Sequence, residues 1–339
     1  MAGYNIAVDL GTSTITVFVA GRGIVYKQAN AVTIDKTTGE MVAYGDSAFE
    51  MLEKTPDTLQ CILPMRSGVV SHFNLLSDMI EKIITKVCKS NIFRPNIIIN
   101  IPIGLTLPEK RTLISMISSG CAAKVCLIES PIAAALGAGI AIEAPHGVMI
   151  VDIGAGTTDI SVITMKTAAH FKTLRFGGND IGEAICQYVK KEQGYDIGLR
   201  TAEKIKKTLG YASLPEEELE LSVPGKEHVT HIPLLFSITS TEIYEALKDS
   251  VSLIASSILE VLEETPPELY SDICSEGIIL TGGGAKLRGL SQALTDMLKI
   301  PVSLSADSEN CAAKGAGQAL KNIKEYEDLG LVFRIREDM

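Results

Sequence analysis

Twice in this chain an apolar run breaks at an aspartate into small polar residues and then resumes: "VDLGTSTITV" at 8–17 and "VDIGAGTTDI" at 151–160. Glycine has no Cβ, so backbone N–H groups in such a loop can approach a phosphate closely, and threonine hydroxyls add donors without bulk. One copy alone reads equally well as a plain hairpin turn. Two copies become one device carried by both halves of a duplicated chain once other matches accompany them. "IPIGLTLPEKRTL" starting at 101 has a counterpart in "ILTGGGAKLRGLS" starting at 279, and "AALGAG" at 134–139 in "AAKGAG" at 312–317, both 178 positions further on. The aspartate loops are only 143 apart, so the second half carries about 35 extra residues between its loop and its glycine turn, an insertion on a repeated scaffold.

Around these loops strands alternate with helices. Residues 5–8 and 15–20 read as paired strands, as do 148–151 and 160–165. Helical spacing takes over in "LLSDMIEKIITKVCK" and in "TEIYEALKDSVSLIASSILEVLEE". Thr106 with Glu109, and Thr239 with Glu242, have capping-box spacing. The expectation is an α/β fold in which each half has a sheet covered by helices, with the helix near 310–322 returning to pack on the first half. The alternating tail segment around Leu331, Phe333 and Ile335 reads as an edge strand or a docking segment.

At 339 residues, 46% hydrophobic and 21% charged, the chain is a globular protein of about two domains. A net charge of −10 without a basic run argues against nucleic acid as a partner. Seven scattered cysteines with no CxxC pair read as reduced residues of a cytoplasmic protein. No signal peptide or bilayer-spanning stretch is evident.

Facing halves would make a cleft with one aspartate loop on each side. Asp9 and Asp152 would meet one phosphate group only through a cation, and Mg²⁺, which keeps much of its water, suits one or two carboxylates and a polyphosphate. No GxxxxGK[ST] is present, and the second loop runs into a strand where a dinucleotide fold would open a helix. Gly282, Gly283 and Gly284 follow an apolar strand and read as opening a helix, where bare backbone would admit a sugar and an α-phosphate.

"DLGTST", "DIGAGTTDI", "SPIAAALGAG", "RTAEKIKKTLG", "TPPEL", "LTGGGAKLRGL" and "LPMRSGVV" together resemble the bacterial actin MreB family across nearly the whole chain. The resemblance implies two duplicated actin-like, ribonuclease H-like domains around a nucleotide cleft, each with a smaller inserted subdomain. Domain I would span 1–144 plus about 316–339, with an insert at about 33–65; domain II would span 145–315, with an insert at about 180–238. It implies ATP and Mg²⁺ as ligands, paired protofilaments of the chain itself, a cytoplasmic place on the inner face of the cell membrane, and wall-elongation proteins as partners.

Carried over position by position, the resemblance makes Gly11, Thr12, Ser13 and Thr14 the first phosphate loop beside Asp9. Gly154, Ala155, Gly156, Thr157 and Thr158 become the second, beside Asp152. Glu203 and Lys206 look like ribose and adenine contacts, although their spacing alone reads as a solvated helix face. Gly283, Gly284 and Ala285 match the loop under the adenosine, with Gly282 at its start. Relatives carry "EEP" where this chain has "ESP", so Ser130 stands at the position of the glutamate that orients the attacking water, with Thr157 kept as its partner. A serine cannot accept a proton as a carboxylate does, which implies slow hydrolysis. Glu129 is one residue away, but neighbours on a strand end point to opposite faces. In "SNIFRPN", Ile92 and Phe93 match the family's lipid-inserting loop, and read otherwise as caps on a hydrophobic core. A small-molecule kinase of the same superfamily is the alternative function, and a chaperone ATPase a third for which no peptide-binding domain follows.

Overall fold

The computed structural model describes residues 5–88, 94–118, 122–324 and 332–333. Among them two sheets repeat one motif. In the first, strand Asn5–Leu10 pairs antiparallel with Thr14–Val19 and parallel with Asn96–Ile101. In the second, Val148–Ile153 pairs antiparallel with Thr158–Thr164 and parallel with Ile278–Thr281. The full orders place Lys124–Glu129 beyond Asn96–Ile101 and Val302–Leu304 beyond Ile278–Thr281. Val332–Phe333 adds an antiparallel edge to Lys124–Glu129, so this part of the tail is an edge strand.

These strands are apolar on both faces because helices cover both. Ile6, Val8, Ile15, Val17, Ile97 and Ile99 face a core completed by helices Phe73–Cys88 and Leu107–Ser118. Ala7, Ile98, Cys126 and Ile128 face the other way. They share a second core with Ile150 and Ile163 of the second half, built around helices Ser130–Gly137 and Cys311–Ala319. The last helix thus lies between the halves and contacts the strands of the first.

The crossing of those two helices explains the repeated "AALGAG" and "AAKGAG". A Cβ on Gly137 would fall 1.8 Å from the Cys311 carbonyl oxygen, and one on Gly315 would fall 1.7 Å from that of Ala133. Cys311 and Gly315 stand 178 positions after Ala133 and Gly137, so the two contacts are counterparts under the duplication, as across a two-fold axis. Only bare backbone permits this approach.

Each half also carries a smaller three-stranded sheet. In the first, Met41–Tyr44, Val32–Asp35 and Leu59–Ile62 form a small sheet. In the second, Tyr195–Asp196, Glu220–Glu227 and Pro233–Thr239 pack with helices Gly178–Tyr188 and Leu199–Leu209 on their own core. These two smaller parts touch. The Arg200 guanidinium donates to the Glu50 carbonyl at 2.9 Å and lies 6.0 Å from the Phe49 ring centre, while Leu199 N–H donates to Glu53 at 3.2 Å.

Both capping boxes form, Glu109 accepting from Thr106 N–H at 2.8 Å and Glu242 from Thr239 N–H at 2.8 Å. Two details differ from the sequence reading. The strands run through the aspartates instead of stopping before them, because the ladder continues to Leu10 and Ile153. The triple glycine leads into a single 3₁₀ turn, Gly284–Lys286, and the helix starts only at Leu290, because Gly289 adopts a left-handed conformation between them.

Candidate functional site

The two aspartate loops are the same turn. Gly11 N–H donates to the Thr14 carbonyl at 3.1 Å, and Gly154 N–H donates to that of Thr157 at 2.8 Å, 143 positions on. A Cβ on Gly11 would sit 2.8 Å from the Thr14 oxygen, so the tight turn requires glycine there. Asn30 braces the first loop, its Nδ2 donating to the Gly11 carbonyl at 2.9 Å and its N–H to that of Ser13 at 2.9 Å. The second loop is braced by the start of helix Gly178–Tyr188, where Gly178 and Asn179 N–H groups donate to Gly154 and Ala155 at 3.0 and 2.7 Å.

The loops face each other closely. A Cβ on Gly156 would fall 2.6 Å from Thr12 Oγ1 and 2.9 Å from Ser67 Cα. Thr12 Oγ1 accepts from Gly68 N–H at 3.0 Å, and Ser13 Oγ donates to Asn179 Oδ1 at 3.1 Å across the cleft. Thr158 is buried, and its hydroxyl donates to the Phe176 carbonyl at 2.9 Å.

Carboxylates gather at the floor of the cleft. Asp9 and Asp152 keep some surface open, but the surrounding protein strips them of water. Asp9 is pushed up to about 7, chiefly by burial and then by the charge of Asp152, with Asn100 and Lys27 opposing. Burial raises Asp152 to about 6 against the Thr281 hydroxyl, which donates to its Oδ1 at 3.0 Å. Asp159, the cross-strand partner of Asp152, is 2% exposed and also raised to about 7 by burial, opposed by a 2.6 Å hydrogen bond from Thr173, with Asp152 and Glu129 adding repulsion. Like charges held this close in a poorly hydrated space favour a cation.

The oxygen-only donor set fits Mg²⁺ better than a softer metal. Among the described residues no group of three or more His, Cys, Asp or Glu is placed to hold a metal ion.

Along one wall, Gly282 has φ +85°, and a Cβ there would fall 2.2 Å from the Ile153 carbonyl oxygen. A Cβ on Gly284 would lie 2.5 Å from Ile153 Cγ2, whereas Gly283 faces open space apart from Glu309 Cγ at 3.9 Å. Ala285 is buried in the turn. Lys206 donates to the Gly178 carbonyl at 2.7 Å and pairs with Glu203 at 2.5 Å, so both side chains stand beside the second loop. Glu129 ends its strand directly before Ser130, the first residue of helix Ser130–Gly137. Its Oε1 lies 3.5 Å from Lys110 Nζ, and its charge is felt at Asp159. Ile92 and Phe93 lie outside the described residues.

Sequence reasoning missed Asp159, Thr281 and Glu309, as well as Asn100. Asp159 and Thr281 lie inside the quoted motifs, and the signal was a polar residue in an otherwise buried strand. Glu309 carried no local signal: it pairs with Lys27 of the first half at 2.8 Å and with Lys286, and the two lysines hold its carboxyl down at about 2.

With this geometry in view, comparison with known proteins gives concordant findings. The family model described as MreB/Mbl protein matches residues 3–328. The chain is 37% identical over 325 residues to the cell shape-determining protein MreB of Escherichia coli (strain K12), covering 94% of each chain. It is 37% identical over 320 residues to the cell shape-determining protein Mbl of Bacillus subtilis (strain 168), covering 94% of this chain and 96% of that one. MreB5 of Spiroplasma citri bound to ADP superposes with a TM-score of 0.92 at 31% identity, over 96% of this chain and 99% of that one. The MamK double helical filament chain, at 22% identity and a TM-score of 0.80, shares the fold.

Proposed function

The chain belongs to the MreB/Mbl family, and from that membership we propose that it is a filament-forming cytoskeletal protein that binds ATP with Mg²⁺ between its halves. The two matching aspartate loops in contact with each other, with Asp9 near enough to Asp152 to feel its charge, are the observation that carries this reading. Relatives named as cell shape-determining proteins, and a structural neighbour bound to AMPPNP with a TM-score of 0.92, support it.

In this reading the backbone N–H groups of the two glycine loops hold the phosphates. Thr12, Ser13, Thr14 and Thr157 add hydroxyl donors. Gly283 leaves room for the adenosine, Gly284 lets the turn close against Ile153 beneath it, and Glu203 with Lys206 borders the ribose and base. Asp9 and Asp152 hold the cation through water; when bound, it neutralises phosphate charge. Thr157 orients the attacking water. Ser130 offers a hydroxyl where relatives carry a glutamate, so hydrolysis is slow, and preorganised donors around the phosphates supply what rate remains.

Nucleotide bridging the halves fixes the geometry in which subunits stack head to tail into paired protofilaments. The filament lies on the inner face of the membrane through Ile92 and Phe93. Two such side chains contribute about 1.5–3 kcal/mol each, weak for one subunit and strong for an array. There it organises wall-elongation proteins and cell shape.

Binding of a fluorescent ATP analogue with Mg²⁺, combined with pelleting of the polymer, tests the reading. Asp9→Asn and Asp152→Asn should each weaken Mg²⁺-dependent binding by roughly tenfold or more and reduce the pelleted fraction. Unchanged affinity in both variants would refute the site.

A further inference from the structure

Strand Asn96–Ile101 is apolar along its middle, and Asn100 interrupts it one residue before its end. Asn100 is 4% exposed, and neither its Nδ2 nor its Oδ1 reaches a hydrogen-bond partner in the protein. Buried amides are almost always paired, so a strand that keeps one unpaired is meeting a demand other than folding.

The strand register shows what that demand faces. Asn100 is the direct partner of Asp9 in a parallel ladder, so the two side chains leave the same face of the sheet. In the other half Thr281 is the direct partner of Asp152 in the equivalent parallel ladder, and its hydroxyl orients that carboxylate. Asn100 therefore occupies the place of Thr281 under the duplication. Its Nδ2 is close enough to Asp9 to favour the ionised carboxylate as a donor, although the contact falls short of a well-formed hydrogen bond, while its Oδ1 meets no donor of the protein.

We propose that Asn100 is the positioning residue for the Asp9 side of a hydrated divalent cation, its Nδ2 donating to the Asp9 carboxylate and its Oδ1 accepting from a cation-bound water. This rests on the nucleotide reading above. A neutral amide suits the position because it both donates and accepts. A carboxylate there would add a further negative charge to Asp9, Asp152 and Asp159. Partners that orient metal-binding carboxylates contribute roughly 10–100-fold to metal affinity.

The test compares Asn100→Val and Asn100→Thr with the unaltered chain, reading thermal melting without ligand and the affinity of a fluorescent ATP analogue in EDTA and across a Mg²⁺ titration. Asn100→Val removes an amide that makes no well-formed hydrogen bond within the protein and should melt close to the unaltered protein. Its metal-free nucleotide affinity should stay within about twofold, while the Mg²⁺ concentration for half-maximal tightening rises by roughly 10–100-fold. Asn100→Thr, which restores a donor on a similar shape, should recover part of that loss. An unchanged Mg²⁺ requirement in Asn100→Val would overturn the proposal. So would a joint fall in melting temperature and metal-free affinity, which would mark a structural role. Absence of nucleotide binding by the unaltered chain would instead overturn the functional reading itself, and this inference with it.

Discussion

At Ser130 a hydroxyl occupies the first position of helix Ser130–Gly137, directly after a glutamate held near Lys110. In the proposed function, replacing Ser130 with Glu supplies a carboxylate to orient the attacking water, and positioned acid–base groups contribute about 10²–10⁴ in rate. Phosphate release should rise by roughly 10² or more, and continuous release assays at saturating ATP check it. Ser130 was legible because it breaks a quoted motif. Asn100 was not: within "NIIINI" it reads as an ordinary polar interruption, and only strand register shows that it stands beside Asp9. Asp159 was hidden for the same reason, since its pairing with Asp152 depends on the hairpin closing in one register.

Among the elements, the paired helices place the strictest demand on side-chain size. Gly315→Ala drives a methyl group into the Ala133 carbonyl, and should destabilise by about 3 kcal/mol or more, since overpacking a tight contact costs 1–3 and rigid backbone gives way poorly. Gly182 in helix Gly178–Tyr188 is the contrast, because a Cβ there meets nothing within 4 Å. Gly182→Ala should stabilise by about 0.5–1 kcal/mol, and urea unfolding of both variants measures the pair. The duplication was readable from sequence because these helices conserve small residues at one spacing. The strand equivalence was not, because aligning the glycine turns sets Gly104 against Gly282, whereas the ladders set Asn100 against Thr281. The turn of the first half lies farther from its strand partner, so matching turns misaligns strands.

For the molecule as a whole, the three raised aspartates make stability depend on pH in a direction opposite to that of ordinary acid denaturation. A carboxyl with a higher pKa folded than unfolded binds its proton more tightly in the native state, so its contribution grows as pH falls. The window runs from about 7, the folded value of Asp9 and Asp159, down to the unfolded value of 3.8. Glu309 has the opposite sign: its contribution is full above 4.5 and is lost only as pH falls from there towards about 2. Between pH 8 and pH 5, therefore, the protein without nucleotide or divalent cation should gain melting temperature on acidification. Asp152→Asn should flatten that slope and raise the melting point at pH 8, as differential scanning fluorimetry would register.

The meeting of bare backbone at Gly137 and Gly315 also governs how the halves can move. Two rods that touch without intervening side chains have a fulcrum but little room to slide. Any parting of the halves should therefore be a turn about this contact, felt most where Arg200 donates to Glu50.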